Sequence, residues 1–244
     1  MNAQENLDSL SRRATDPTAI MWQLQLEDYW SPKMSKVNYK ENVFRYRAVI
    51  PLQGKVKNSW DHLIRLTITT NRYSGVPLGL GDIELFDMII PKRYAWGAWS
   101  LGPLMSIPTA SDQAYGSGVF SLGLAAGISF NNRKMKRWQI DILFEYLKSL
   151  IENSNSNNIN LISVQPSITY HLNKGFYIET EPVITYSFKN KSIGVPFNLR
   201  FGKVIFIRNK KYNAYIEPET TIYNDSQTYT VIGFRFGFRF LFNK

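Results

Sequence analysis

Residues Thr228 to Phe242 read TYTVIGFRFGFRFLF, and this stretch decides the fold class. Side chains alternate between the two faces of a β-strand, so even and odd positions lie on opposite faces. The odd face carries Arg235 and Arg239 among small residues. The even face is a stripe of phenylalanines: Phe234, Phe236, Phe238, Phe240 and Phe242. A soluble sandwich can alternate in this way, but the pattern favours a strand between hydrocarbon and water. We predict the closing strand of an outer-membrane β-barrel, with the phenylalanines facing lipid.

The same alternation recurs along the chain from Ala19, and it predicts one transmembrane antiparallel up-and-down β-barrel over residues 19–244. Counting the alternating runs gives about twelve strands, an even number as in bacterial outer-membrane barrels. Residues 82–90 are apolar on both faces, so their phase stays open and a bulge is plausible. Pro103 interrupts the next strand and is expected at a bulge or at a position without a ladder hydrogen bond.

The connections between the predicted strands sort into two groups by length. The longer ones are 31–41, 74–81, 108–118 and 149–158, and the shorter ones are 53–58, 92–95, 173–175 and 208–213. If both termini are periplasmic, the longer connections fall outside the cell and the shorter ones inside. Short periplasmic turns and long external loops are the usual arrangement in outer-membrane barrels.

The composition is compatible with a membrane barrel and excludes several other classes. Mean hydropathy is −0.25, and no run of 18 apolar residues predicts a membrane-spanning helix. Low hydropathy does not exclude a barrel, because half of each barrel strand faces water. The chain has no cysteine, so neither a disulfide framework nor a thiolate metal site is possible. We predict no metal site and no cofactor.

The formal net charge of +10 indicates a phosphate-bearing partner or solvated turns. The sequence contains no recognised nucleic-acid module, so we predict no nucleic-acid partner. The expected partners are outer-membrane lipids and lipopolysaccharide, together with the barrel-insertion machinery through the C-terminal strand. The expected location is the bacterial outer membrane. Because MNAQENLDSL lacks a charged n-region followed by an apolar h-region, a secretion signal is expected to have been removed.

Residues 1–18 form a separate polar segment ahead of the barrel. Residues 6–14 are compatible with a short helix, which Asp16-Pro17 would end. Two interpretations remain open. The segment is either a periplasmic tail or a plug that reaches into the lumen.

The water-facing side of the predicted strands is rich in charge. Glu179 with Glu181 and Glu217 with Glu219 lie two apart, and the hairpin between the last two strands can bring the second pair opposite Arg235 and Arg239. The candidate constriction residues are Arg45, Arg47, Arg65, Glu179, Glu181, Arg200, Glu217, Glu219, Arg235 and Arg239. Such a set is either a charged constriction that selects solutes or a salt-bridge network that fills a narrow barrel. The sequence leaves both open.

An enzyme is not predicted. The two histidines are His62, on the predicted lipid face, and His171, on the water face near a turn. Only His171 could serve a serine–histidine–acid site, and no zinc-ligand spacing exists. The carboxylates have arginines as natural partners, which leaves no residue predicted as catalytic.

Several stretches of the chain resemble one bacterial outer-membrane family. They are WGAWSLGPLMSIPTASDQAYGSGVFSLG (96–123), SVQPSITYHLNKGFYIETEPVITYSF (163–188), VPFNLRFGKVI and the closing GFRFGFRFLF. Together with TDPTAIMWQLQLEDYW and FRYRAVIPL, they are similar to the neuromedin-U-like transporters and the related meta-pathway phenol-degradation outer-membrane proteins. The resemblance implies a small transport barrel with hydrophobic or aromatic cargo, and no catalytic residues. Asn243 and Lys244 depart from barrels that end on an aromatic residue.

Two functional hypotheses follow. The first is the passage of small hydrophobic or aromatic solutes through a charged, narrow lumen. The second is a closed structural or partner-binding barrel within an envelope complex.

Overall fold

The structure is a computed structural model, and it describes residues 3–36, 40–54, 60–131, 137–151, 156–208, 210–225 and 229–242. Within these residues, one α-helix, one short 3₁₀ helix (Asn173–Gly175) and twelve barrel strands are found. The α-helix is α1 (Ala3–Thr15). The strands are β1 (Trp22–Met34), β2 (Glu41–Leu52), β3 (Asp61–Tyr73), β4 (Ile83–Ile90), β5 (Gly97–Ile107), β6 (Ser121–Phe130), β7 (Trp138–Ser149), β8 (Asn160–His171), β9 (Phe176–Thr180 and Ile184–Ser187), β10 (Ser192–Asn198 and Arg200–Ile207), β11 (Lys210–Asn224) and β12 (Thr230–Phe242).

The sheet closes on itself as an antiparallel up-and-down barrel, which confirms the predicted fold. Each strand pairs with its neighbours in sequence, and the first strand pairs with the last, beginning at Trp22 opposite Phe242. Two short pairings lie beside this path: Gly79–Leu80 extends β3, and Arg93–Tyr94 folds back on β5. No helix among the described residues is long and apolar enough to cross a membrane.

The closing strand β12 has the two faces that its alternation predicts. Phe236 and Phe242 are about half exposed on the outside of the barrel, whereas Gly237 and Leu241 are buried on the inside. Gly237 has a steric role, because a Cβ atom there would lie 2.0 Å from the ring of Tyr215. The missing side chain lets that tyrosine lie flat against the inner wall.

The connections place the longer loops together at one end of the barrel. The connections 74–82 and 108–120 lie at this loop end together with residues 150–151 and 156–159, and the turn 172–175 lies at the other end, which also holds both termini of the barrel. Several predicted boundaries are wrong. β1 extends to Met34 within the expected loop 31–41, and β11 begins at Lys210 within the expected turn 208–213, because Lys210 pairs with Ile207. Residues 37–39, 55–58, 152–155 and 209, parts of four predicted connections, lie outside the described residues.

Two of the strands, β9 and β10, are interrupted. β9 breaks between Thr180 and Ile184 around Pro182, and β10 breaks at Leu199. The side chain of Asn198 fills the gap: its Oδ1 accepts from the Glu181 amide at 2.8 Å, and its Nδ2 donates to the Glu181 carbonyl at 2.9 Å. Proline cannot donate to a ladder, so a side-chain amide takes over the pairing there.

β4 is apolar on both faces because its inner face belongs to a hydrophobic cluster inside the barrel. Phe86, Met88 and Ile90 point inward, and no register shift marks a bulge between β4 and its neighbours. The buried members of the cluster are Leu63, Phe86, Met88, Ile90, Ala98, Leu104, Ala125 and Leu147. Pro103 lies between Leu101 and Leu104, where the pairing of β5 with β4 is interrupted, as expected for a residue without an amide donor.

The segment that contains α1 lies inside the lumen, at the end of the barrel that holds both termini. Leu10, 2% exposed, packs with Met21, Val204 and Leu241 in a second buried cluster. At the start of the segment, Asp8 Oδ1 accepts a hydrogen bond of 2.8 Å from the amide of Gly175 in the β8–β9 turn.

The far end of the same segment reaches the opposite wall of the barrel. Asp16 accepts from Ser129 Oγ at 3.3 Å and from Asn131 Nδ2 at 3.5 Å, and Arg93 donates to the Thr18 carbonyl. Residues 8–18 therefore run across the barrel from the β8–β9 turn to β6 and the β4–β5 turn. This is the geometry of the plug alternative, and the helix extends the predicted 6–14 in both directions.

Candidate functional site

The inner wall formed by β9, β10 and β11 is built around the guanidinium of Arg200. Its Nη1 lies 2.5 Å from Glu179 Oε2, its Nη2 2.8 Å from Glu181 Oε2 and its Nε 2.5 Å from Glu217 Oε2. Arg200 side-chain exposure is 2%, and its guanidinium carbon lies 4.3 Å from the centre of the Tyr215 ring. Charge-assisted hydrogen bonds are strong in such a dry environment, so these residues form a rigid wall.

Arg235 continues this network along β12. Its Nη1 lies 3.0 Å from Glu217 Oε1, and its Nη2 lies 3.5 Å from Glu219 Oε2. Glu219 also accepts a hydrogen bond of 2.7 Å from the Tyr29 hydroxyl on β1. The predicted opposition of Arg235 to Glu217 and Glu219 is found.

Arg239 has a different carboxylate partner from the one predicted. The register places Asn213 opposite Arg239, so Glu217 and Glu219 lie too far along the strand. Its Nη2 instead lies 3.8 Å from Glu27 Oε1 across the seam between β12 and β1, and its Nη1 donates to the Ala14 carbonyl of the plug at 3.3 Å. This arginine therefore joins the seam to the plug.

Glu27 is the buried acceptor of the seam. Its Oε1 also accepts from the Tyr215 hydroxyl, and its Oε2 lies 3.2 Å from Arg45 Nη1. On the adjacent wall, Arg65 Nη2 lies 3.1 Å from Glu145 Oε1, and its guanidinium carbon lies 3.7 Å from the centre of the Phe86 ring.

Arg47 differs from the other arginines of the lumen. In the described part of the chain, no carboxylate lies within 4.0 Å of it. Its hydrogen bonds go to two neutral oxygens at 3.4 Å, Thr67 Oγ1 and Gln25 Oε1.

Two cavities occupy the lumen above the plug. The inner one has a volume of about 380 Å³ and is bounded below by residues 14–19. The outer one, of about 290 Å³, is bounded by the loop-end residues Asp82, Tyr115 and Ser117. Both are lined by Glu84, Glu145 and Leu161, so they follow one another along the barrel axis.

The inner cavity has two chemically different sides, and the carboxylates Asp16, Glu84, Asp141, Glu145 and Glu181 also line it. One is the arginine-rich surface of β1, β2, β3 and β12, with Glu27 among the arginines. The other is apolar, and its side chains are Val49, Leu63, Phe86, Met88, Leu143 and Leu161. An amphipathic lumen of this kind offers charged groups and apolar area to the same small molecule.

The structure places all ten predicted constriction residues on the inside of the barrel. Nine form ion pairs, and seven of the ten line the inner cavity: Arg45, Arg47, Arg65, Glu181, Arg200, Arg235 and Arg239. Glu179, Glu217 and Glu219 lie behind them in the network. Sequence reasoning did not identify Asn198, whose Nδ2 donates to Glu217 at 2.9 Å, or the Tyr215 ring between two arginines. Gly237, which lies opposite Tyr215, was the sequence feature that could have indicated the position of this ring.

The two histidines have partners that are unrelated to the cavities. His171 Nδ1 lies 3.1 Å from Ser11 Oγ of α1, with both side chains buried, and neither lines a cavity. A serine–histidine contact without room for a substrate fixes the plug to the wall. His62 lies on the outer face as predicted, and its Nδ1 is 2.8 Å from Asp87 Oδ2, which also points outward.

Comparisons with known proteins agree on the barrel fold. No family model matches the chain, and no curated protein sequence matches it. The COG4313 outer membrane channel from Pseudomonas putida F1 superposes with a TM-score of 0.70 at 11% identity, covering 93% of this chain and 97% of that one. The KdgM porin gives 0.55 at 10% identity, covering 91% and 99%. Outer membrane phospholipase A from Escherichia coli gives 0.50 at 13% identity, covering 100% and 99%. At these identities the comparisons show the fold: the chain is a twelve-stranded barrel of the outer-membrane type.

Proposed function

We propose that this protein is an outer-membrane channel that passes small solutes through its lumen. The observation that carries the proposal is the pair of consecutive cavities that leads from the loop end down to the plug. The similarity in fold to an outer-membrane channel and a porin supports it. The apolar wall of the inner cavity suits the hydrophobic or aromatic cargo that the sequence resemblance to the neuromedin-U-like and phenol-degradation proteins implies.

In this proposal, residues 8–18 are the element that opens and closes the route. Residues 14–18 of this segment form the floor of the inner cavity, and the segment makes hydrogen bonds to opposite walls. The Arg200 network forms a rigid wall beside the route and does not move during passage. The protein resides in the bacterial outer membrane, where lipids and lipopolysaccharide surround the aromatic outer face.

Catalysis is not part of the proposal, although one protein of similar fold is a phospholipase. The Ser11–His171 contact lies outside both cavities, and the outward His62–Asp87 pair has apolar neighbours across its strands, Leu52, Ile64 and Ile89.

The test is single-channel conductance of the purified protein in a planar bilayer, with and without residues 1–18. Conductance in the truncated form supports the channel, and a lower value in the full chain assigns the gate to the plug. Silence in both forms, with a folded barrel shown by heat-modifiable gel mobility, contradicts passage along the axis.

A second candidate function is a closed structural or partner-binding barrel. The buried Arg200 network and the plug favour it, because both occupy space inside the barrel and narrow the lumen. Stoichiometric co-purification of an envelope protein with a silent barrel would support this candidate over the channel.

A further inference from the structure

Arg47 is a charged group that the network of the lumen leaves without a counter-ion. The five other arginines that line the inner cavity each have a carboxylate within 4.0 Å, whereas Arg47 has none among the described residues. Its two hydrogen bonds, both 3.4 Å long, go to neutral oxygens. A guanidinium in a confined lumen is stabilised by an anion, and its planar donors match a carboxylate in a bidentate arrangement.

The charges around Arg47 favour an anion. Its electrostatic neighbours are Arg45, Arg65 and Arg239, with Glu27 as the acidic group among them. Glu27 already forms ion pairs with Arg45 and Arg239 and accepts a hydrogen bond from the Tyr215 hydroxyl. The positive charge at this position is therefore not matched by the protein, and a bound anion would supply the missing charge.

An apolar surface begins directly beside this guanidinium. Val49 follows Arg47 on the inward face of β2, and the pairing places Arg65 opposite Val49 and Phe86 opposite Arg65. Leu63 and Met88, which are also paired, lie next along β3 and β4 towards the plug. These four apolar side chains, Val49, Leu63, Phe86 and Met88, all line the inner cavity.

We propose that the inner cavity binds a small organic monoanion, a carboxylate on an aliphatic or aromatic body, with its charge on Arg47 and its body on the apolar patch. The inference deepens the proposed function, since it rests on the lumen being a solute route and names the solute class. The cavity of about 380 Å³ lies within the range of ligand pockets, roughly 300–1,000 Å³. Both halves of the ligand have a complement: the carboxylate replaces the absent counter-ion, and the body removes apolar area from water.

The test is a ligand-observed NMR titration of the full chain in detergent micelles, with empty micelles as the blank. The probes are benzoate, acetate, which lacks the body, and benzyl alcohol, which lacks the charge. We expect benzoate to bind at least about tenfold more tightly than either of the other two. Equal binding of benzoate and benzyl alcohol would overturn the role of the charge, and absence of benzoate binding would overturn the site.

Variants of Arg47 and Val49 test whether these residues form the binding site. Arg47→Gln is expected to weaken benzoate binding at least about tenfold, while Arg47→Lys, which keeps the charge, retains part of it. Val49→Thr should weaken benzoate binding by a smaller factor and leave acetate unchanged. Arg137→Gln, at an exposed arginine bonded to the Tyr170 hydroxyl, is the control. Wild-type affinity in Arg47→Gln, with its barrel shown to be folded by gel mobility, contradicts the proposal.

These experiments test the binding site and the proposed channel function independently. Binding is measured in micelles without any passage across a membrane, and passage is measured as conductance. A channel that conducts but does not prefer benzoate overturns the inference alone. A silent barrel that binds benzoate through Arg47 overturns the proposed function and leaves the binding site standing.

Discussion

Nε of Arg200 lies 2.5 Å from Oε2 of Glu217, and the two side chains, 2% and 0% exposed, are closed off from solvent inside the barrel. Their contact joins adjacent strands, β10 and β11, at a position where β10 is broken one residue earlier. A buried ion pair whose partner is removed leaves an uncompensated charge in a dry site. Among the described arginines of the lumen, Arg200 has the most carboxylate partners, three, so the wall is expected to be most sensitive to mutation there.

Replacement of Arg200 by methionine leaves Glu179, Glu181 and Glu217 without their common partner. We expect a loss of about 3–5 kcal/mol in the free energy of unfolding, measured by urea titration of gel mobility. The control is Arg45→Met, because Arg45 is 33% exposed and Glu27 keeps Arg239 and Tyr215 as partners. A loss of about 1 kcal/mol or less is expected there. Equal losses would show that the Arg200 network does not hold the wall.

Phe236→Arg tests the orientation of the closing strand. Phe236 lies on the outer face near the middle of β12, so an arginine there faces hydrocarbon at mid-depth and should cost about 2–4 kcal/mol. Phe242→Arg, at the end of the same face, should cost about 0–1 kcal/mol. Both values come from urea titration in lipid vesicles, and a reversed order of the two would place the membrane elsewhere on the strand.

Leu10→Asp tests the plug. Leu10 packs in a buried cluster with Met21, Val204 and Leu241, so a carboxylate there would lie among apolar side chains. We expect α1 to leave the lumen and the conductance in planar bilayers to rise towards that of the truncated protein. Ser9→Asp, on the exposed side of the same helix, should conduct as the wild type does. If the Leu10→Asp barrel is folded and conducts as the wild type does, the plug does not control conductance.

Asn198→Leu tests the side chain that bridges the break in the wall. The change removes the bonds to the main chain of Glu181 and the bond to the Glu217 carboxylate. Each buried group left unpaired costs about 1–3 kcal/mol. A total loss in this range or above is expected in urea unfolding, against no measurable change for Asn190→Leu in the exposed β9–β10 turn.

A double-mutant cycle would measure the coupling between His62 and Asp87, which both point outward. In His62→Leu, the carboxylate of Asp87 stays on the outer face without its partner at 2.8 Å, so the protein should lose on the order of 1 kcal/mol of stability. His62→Leu with Asp87→Leu should recover that loss, because a purely apolar surface faces lipid. Additive effects of the two single changes would show that the pair is not coupled.

The alternation of side chains along each strand made the inner and outer faces of the barrel predictable. Because side chains alternate strictly, the phenylalanine stripe of β12 fixes every lumen residue on that strand, and the same argument places Arg45, Glu217 and the other candidates. The fold and the inward position of the site could therefore be predicted from single strands. This reasoning needs no knowledge of which strands are neighbours or how they are aligned.

Partners could not be predicted in the same way, since they depend on register between strands. Arg239 pairs with Glu27 and not with Glu217, because Asn213 lies opposite it. The phase of β4 was hidden by the apolar cluster inside the barrel, which makes both faces of this strand hydrophobic. The plug is a tertiary arrangement of a polar helix, and no local pattern distinguishes it from a tail.

The seam at Glu27 has a consequence for how the barrel assembles. Glu27 lies on the first strand, and its partners Arg239 and Tyr215 lie on the last two. Until the chain ends meet, these groups face one another across an open edge, and the carboxylate keeps only Arg45 on β2. Closure therefore completes main-chain pairing and charge neutralisation in a single event. A sheet that has not closed lacks both the pairing of β1 with β12 and the contact of Glu27 with Arg239, so this ion pair stabilises only the closed barrel.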